Sequence, residues 1–111
     1  MARQTRVPLS EPIEGHGGKV TAVVVREPTA ADYFALGEPQ VLARNPDGTV
    51  YSIENDAAID AYMERCIVEP DPLLAKKQMG LADGIAVKAA LLGFFLAARG
   101  GAPADKTATN G

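Results

Sequence analysis

Residues 23–39 read VVVREPTAADYFALGEP, and the fold is decided there. Three consecutive valines run into an Arg-Glu pair and then a proline. Pro28 has no N–H to give to a ladder, so the strand must stop before it. Thr29 stands where an N-cap belongs, with Asp32 three residues on, which approximates a capping box. Gly37 offers a C-terminal stop and Pro39 follows, so the helix spans about two turns. Tyr33, Phe34 and Leu36 supply its apolar side. Arg26 and Glu27 fall at the joint. Either they are solvated gatekeepers at a strand end, or Arg26 clamps the strand to the helices through a carboxylate such as Asp32. On the second reading Arg26, Pro28, Thr29 and Asp32 form one structural joint.

Working upstream, KVTAVVVRE (19–27) is the clearest strand, rich in β-branched residues. Its three valines suggest that both faces are at least partly covered. VPLSEPI (7–13) alternates but carries two prolines, which confine it to a sheet edge. EGHGGK (14–19) between them is turn chemistry, and the pair reads as a β-hairpin.

Downstream, NPDG (45–48) is a turn and TVYSI (49–53) alternates like a third short strand. Asn55 or Asp56 caps the next helix. Ile59, Met63, Cys66 and Ile67 share one face of it, with Asp60, Glu64 and Arg65 outside. EPDP (69–72) breaks the chain, and Asp71 caps a short helix over 73–79. The last helix, about 81–98, is apolar over more than half its circumference, and Ala and Gly fill much of the remainder. Such a helix is covered by a larger core or by a partner. The expected architecture is one α+β domain over 7–98: an N-terminal β-hairpin, a possible third strand and a mainly helical second half. Residues 1–6 are expected to be flexible, and 99–111, RGGAPADKTATNG, a disordered polar tail.

The 111-residue chain suits one domain. Its net charge of −3 lacks the basic clustering that phosphate neutralisation needs, so no nucleic-acid partner is expected. One cysteine allows no internal disulfide, which fits a reducing cytoplasm. One Cys and one His rule out a closed Cys/His zinc site. No apolar run follows the basic N-terminus, so it does not read as a secretory signal. IAVKAALLGFFLAA (85–98) includes a lysine and is shorter than the roughly 20 apolar residues of a spanning helix. It reads as a buried helix, with no membrane contact expected.

No catalytic constellation emerges. His16 sits between glycines in a turn, without the sheltered partner a general base needs. Cys66 lies on an apolar face and reads as a small core hydrophobe. GHGGK (15–19) precedes a strand and lacks phosphate-loop spacing. Glu69 and Asp71 are too few for a calcium loop. Lys88 falls inside the apolar arc of the last helix. Either its stem snorkels or its ammonium meets an acidic group, in the domain or on a partner.

PLSEPIE (8–14), a glycine-containing turn, VTAVVVREPTAADYFAL (20–36), DGTVYSIE (47–54) and LADGIAVKAALLGFF (81–95) together resemble a phage tail assembly chaperone. The relevant branch belongs to contractile-tailed Mu-like and P2-like phages and their prophages. The Arg-x-Pro-Thr-x-x-Asp joint of that family matches Arg26, Pro28, Thr29 and Asp32. The resemblance covers about residues 7–98. It implies a non-enzymatic protein of the host cytoplasm, without cofactor or metal and absent from the finished virion. It also implies binding to the tape measure protein, keeping its apolar helices soluble, and help to tail tube subunits that assemble around it. Self-association is expected as well. Leu91, Phe94 and Phe95 of the last helix, with Lys88, are the expected contact residues for a partner or a second copy. The competing reading is a small structural protein, a head–tail joining or tail-completion factor, retained in the particle.

Overall fold

The computed structural model describes residues 3–100. The fold is α+β, with a β-hairpin followed by a mainly helical second half. β1 (Gln4–Gly15) and β2 (Gly18–Arg26) form the hairpin, joined through a two-residue turn at His16 and Gly17. Gly18 leaves that turn with φ 131°, a conformation that excludes a side chain at low cost. β1 begins at Gln4, which pairs with Arg26, so residues 4–6 are strand rather than the flexible lead expected. The two prolines are accommodated by a bulge. Residues 9–12 of β1 bow out between the Pro8–Ala22 and Ile13–Val20 pairs.

β2 is the middle of a three-stranded antiparallel sheet, β1-β2-β5, in which β5 (Ile67–Glu69) pairs with Val24 and Val25. That central place explains the valine run. Val23 and Val25 are fully buried beneath the helices, and Val24 is half-buried on the other face.

The chain passes from β2 into α1 (Ala30–Leu36), where Thr29 and Asp32 form a complete capping box. β3 (Gln40–Arg44) and β4 (Val50–Glu54) then form a separate two-stranded hairpin around the Asn45–Gly48 turn. The expected third strand is β4, and its partner β3 had not been anticipated. α2 (Asp56–Cys66) is capped by Asn55, whose side chain accepts from the Ala58 N–H at 3.1 Å. Ile67, expected on the face of α2, is instead the first residue of β5, because α2 ends at Cys66. α3 (Pro72–Gln78) is capped by Asp71 as expected, and α4 (Leu81–Ala98) closes the fold.

α2 and α4 pack over one face of the sheet. Val7, Val23, Val25, Ile59, Tyr62, Cys66, Ile67, Val87, Leu91 and Phe94 make up most of that core. Tyr62 lies at its centre, and its hydroxyl donates to the Gly37 carbonyl at 2.7 Å. Polar side chains fix the elements at the edges. Asp83, buried in the first turn of α4, accepts from the Ser10 N–H at 3.0 and 3.1 Å and from the Ser10 hydroxyl at 3.0 Å. This holds the β1 bulge against α4. Gln78 forms a reciprocal pair with the main chain of Glu14, at 2.9 and 3.0 Å, which docks α3 on the outer edge of β1.

Of the expected tail, residues 101–111 lie outside the described residues, and Arg99 caps α4. α4 is also longer than the apolar run read from the sequence. Its 18 residues, with mean hydropathy 1.8, pass a length-and-composition test for crossing a membrane.

Candidate functional site

Arg26, Pro28, Thr29 and Asp32 do come together at the strand-to-helix joint. Asp32 is buried and accepts from the Thr29 N–H at 2.9 Å, from Arg26 at 2.9 Å and from Arg65 at 3.2 Å. The Thr29 N–H, helped by the two guanidinium groups, holds the Asp32 carboxyl well below its ordinary value of 3.8. Asp32 in turn raises the pKa of Arg26. Arg65, expected on the outer side of α2, reaches back into this cluster, so α1, α2 and β2 meet at one carboxylate. Cys66 lies fully buried beside it, and burial pushes its thiol up to about 11. That environment disfavours the thiolate.

The other sequence candidates are placed as follows. The Lys88 ammonium meets Glu54 at the base of β4, so its partner is within the domain. His16 remains largely exposed in its turn, with Nε2 3.3 Å from Asp71. Among the described residues no group of three His, Cys, Asp or Glu side chains could hold a metal ion.

Of the expected contact residues, Leu91 is turned wholly inward, whereas Phe94 and Phe95 pack on the core and also line an open groove. Leu91 is fully buried, Phe94 is nearly so, and Phe95 packs half-buried against the core. They lie on the face of α4 that meets the sheet and α2, because Asp83, Val87, Leu91 and Phe94 recur at helical spacing and the sheet needs that cover. Charge placed at Phe94 would destabilise the core as well as alter the groove it lines, so it cannot test a contact cleanly.

The apolar surface that is open lies around them. Between the joint and the end of α4 runs a groove of about 310 Å³, with Pro28, Ala30, Tyr33, Phe95, Ala98 and Arg99 on its walls. A second groove of about 350 Å³ separates β3 from the end of α4 and is walled by Val41, Leu42, Phe95, Leu96 and Arg99. The two share Phe95 and Arg99. Arg99 lies over the Phe95 ring, 5.8 Å from its centroid, and pairs with Glu38, which also accepts from the Tyr33 hydroxyl. That hydrogen bond raises the Tyr33 pKa. Tyr62 meets the Phe95 ring edge-on from below at 5.0 Å. Around this polar clasp stand Phe34, 83% exposed, and Leu42, 75% exposed.

The arrangement offers no nucleophile paired with a base. It offers aromatic and aliphatic walls with a fixed carboxylate and guanidinium between them, which suits an apolar helix or an extended segment. Phe34, expected with Tyr33 and Leu36 on the apolar side of α1, stands exposed, because of the three only Leu36 packs against the core. Leu42, Glu38 and Arg99 carried no signal, since their roles depend on where β3 and the end of α4 lie.

Comparison with known proteins returned no matching family model, no matching curated protein and no matching solved structure.

Proposed function

We propose that this chain is a non-enzymatic tail assembly chaperone that holds apolar helical segments of a tape measure protein in its α1–α4–β3 cleft. The observation that carries the reading is the pair of open, largely apolar grooves that meet at Phe95 and Arg99, one walled by Tyr33 and the other by Leu42 and Leu96, with Phe34 exposed beside Tyr33. Patches of this kind on a small domain mark interaction sites. The Glu38–Arg99 pair at its centre gives a bound helix a polar register mark. The similarity of the joint sequence to that family supplies the identity of the partner.

Co-expression with the tape measure protein tests this. The native chain is expected to keep the tape measure protein soluble and to co-purify with it. Phe34→Asp combined with Leu42→Asp should abolish both effects while the chaperone stays folded, because both side chains are exposed. Unchanged co-purification would exclude the cleft. Finding the chain in purified particles by mass spectrometry would favour a retained structural protein instead.

A further inference from the structure

Of the two charged residues at the strand-to-helix joint, Arg26 is taken up by Asp32 and Glu27 is not. Glu27 stands half-buried on the wall of the groove beside Pro28. Among the described residues no cation pairs with it, and its carboxylate caps no helix. The fold itself gives no reason for a carboxylate there.

A third groove, of about 600 Å³, continues from the second. The two share Glu38 and Val41, and Ile53, Glu54 and Asp56 stand on the far wall. The three grooves thus follow one another from Glu27, past Phe95 and Arg99, to Asp56 at the start of α2. Glu27, Glu38, Glu54 and Asp56 line them, and among the described residues Arg99 is the only basic side chain that does. Arg99 is engaged by Glu38, and Glu54 by Lys88. The charge left over is Glu27 at one end and Asp56 at the other.

We propose that the helix these grooves receive is basic and amphipathic: apolar along the side that meets Phe95, Val41 and Ile53, with lysine or arginine toward both ends to meet Glu27 and Asp56. This rests on the reading of the cleft as a seat for helical segments, and it adds which helices the cleft takes. Apolar cover alone would strip water from Glu27 and strand a half-buried carboxylate, which is penalised. A helix that brings a cation replaces that water with a charge-assisted hydrogen bond. An acidic helix would set like charges against both ends of the cleft. The Glu38–Arg99 pair in the middle is already neutral, so the partner is apolar between its basic ends. Asp56 also suits the N-terminus of α2 on its own account, so Glu27 is the end that carries the argument.

Anisotropy titrations of the purified full chain are the test, with three fluorescein-labelled helical peptides. All share one leucine-rich face, and the residues at their ends are lysine, glutamine or glutamate. The lysine peptide should bind at least about tenfold tighter than the glutamine peptide, and the glutamate peptide most weakly. Added salt should shrink that advantage. Because the whole chain carries a net charge of −3, two double variants of equal charge separate the cleft from bulk attraction. Glu27→Gln with Asp56→Asn should lose most of the lysine preference. Glu11→Gln with Asp47→Asn, at positions that do not line the grooves, should keep it. Glu27→Gln alone, which leaves every helix terminus intact, should already lose part of it. Circular dichroism should be unchanged throughout. Equal affinity for the three peptides would overturn the proposal, as would no binding of any, or an equal loss in both double variants. Co-purification with the tape measure protein is read separately. If it holds while the lysine preference is absent, only the charge rule fails. If it fails while the preference is present, the tape measure protein is excluded and a basic helix remains the partner.

Discussion

Asp32 is the residue on which the joint turns. It completes the cap of α1 through Thr29 and carries two arginines from separate elements, so its loss unties three elements at once. Asp32→Ala should lower stability by about 3 kcal/mol, combining a lost cap with a stranded, partly buried Arg26. The pH dependence follows from the direction of its shift. A carboxylate whose folded pKa is depressed contributes stability that is present above its unfolded value, near 3.8, and is lost as pH falls below it. Denaturant melts of the native chain should therefore weaken between about pH 4 and pH 2. Asp32→Asn should be less stable at pH 7 and flatter across that acid range. Equal acid slopes for the two proteins would contradict the role given to Asp32. The cap was legible in the sequence, because capping depends on residues three apart. Arg65 as the second cation was not, because nothing local turns it inward.

At the scale of elements, β3–β4 is the outlier. Glu54 ties it to α4 through Lys88, while the Asn55 N–H to Pro39 carbonyl bond only extends its own ladder. Val41, Tyr51 and Ile53 lie on one face of it, about half exposed. A two-stranded hairpin is marginal alone, so its amides should open locally. Hydrogen exchange should proceed faster across 40–54 than at residues 23–25 of the central strand β2, by several orders of magnitude. Equal protection would mean that the hairpin is covered in solution. Asn-Pro-Asp-Gly makes its turn legible, yet only the strand that follows the turn shows a readable alternation. Gln40–Arg44 alternates too weakly for a strand period to stand out. β5 escaped for another reason. Three residues have no period to read, and Ile67 continues the helical spacing of α2 for one residue after the helix has ended.

At the scale of the whole molecule, the chain keeps more apolar surface than its core uses, and it keeps it in two places. α4 is apolar around most of its circumference, so periodicity could locate the helix but could not say which side the sheet would take. The side chosen buries Leu91 and Phe94 and leaves Ile85 and Leu96 outside. That choice rests on the β1 bulge, which Asp83 grips through Ser10, a contact between residues 73 apart in the sequence. The cleft beside the joint depends in the same way on β3 and the end of α4 meeting in space. The central claim is that this cleft receives the tape measure protein, and site-specific photo-cross-linking measures it most directly. A benzophenone side chain at Phe34 or Leu42 should cross-link to a co-expressed tape measure protein, and one at Glu11, exposed on the β1 bulge, should not. Cross-links absent from positions 34 and 42, or equally abundant from position 11, would contradict it.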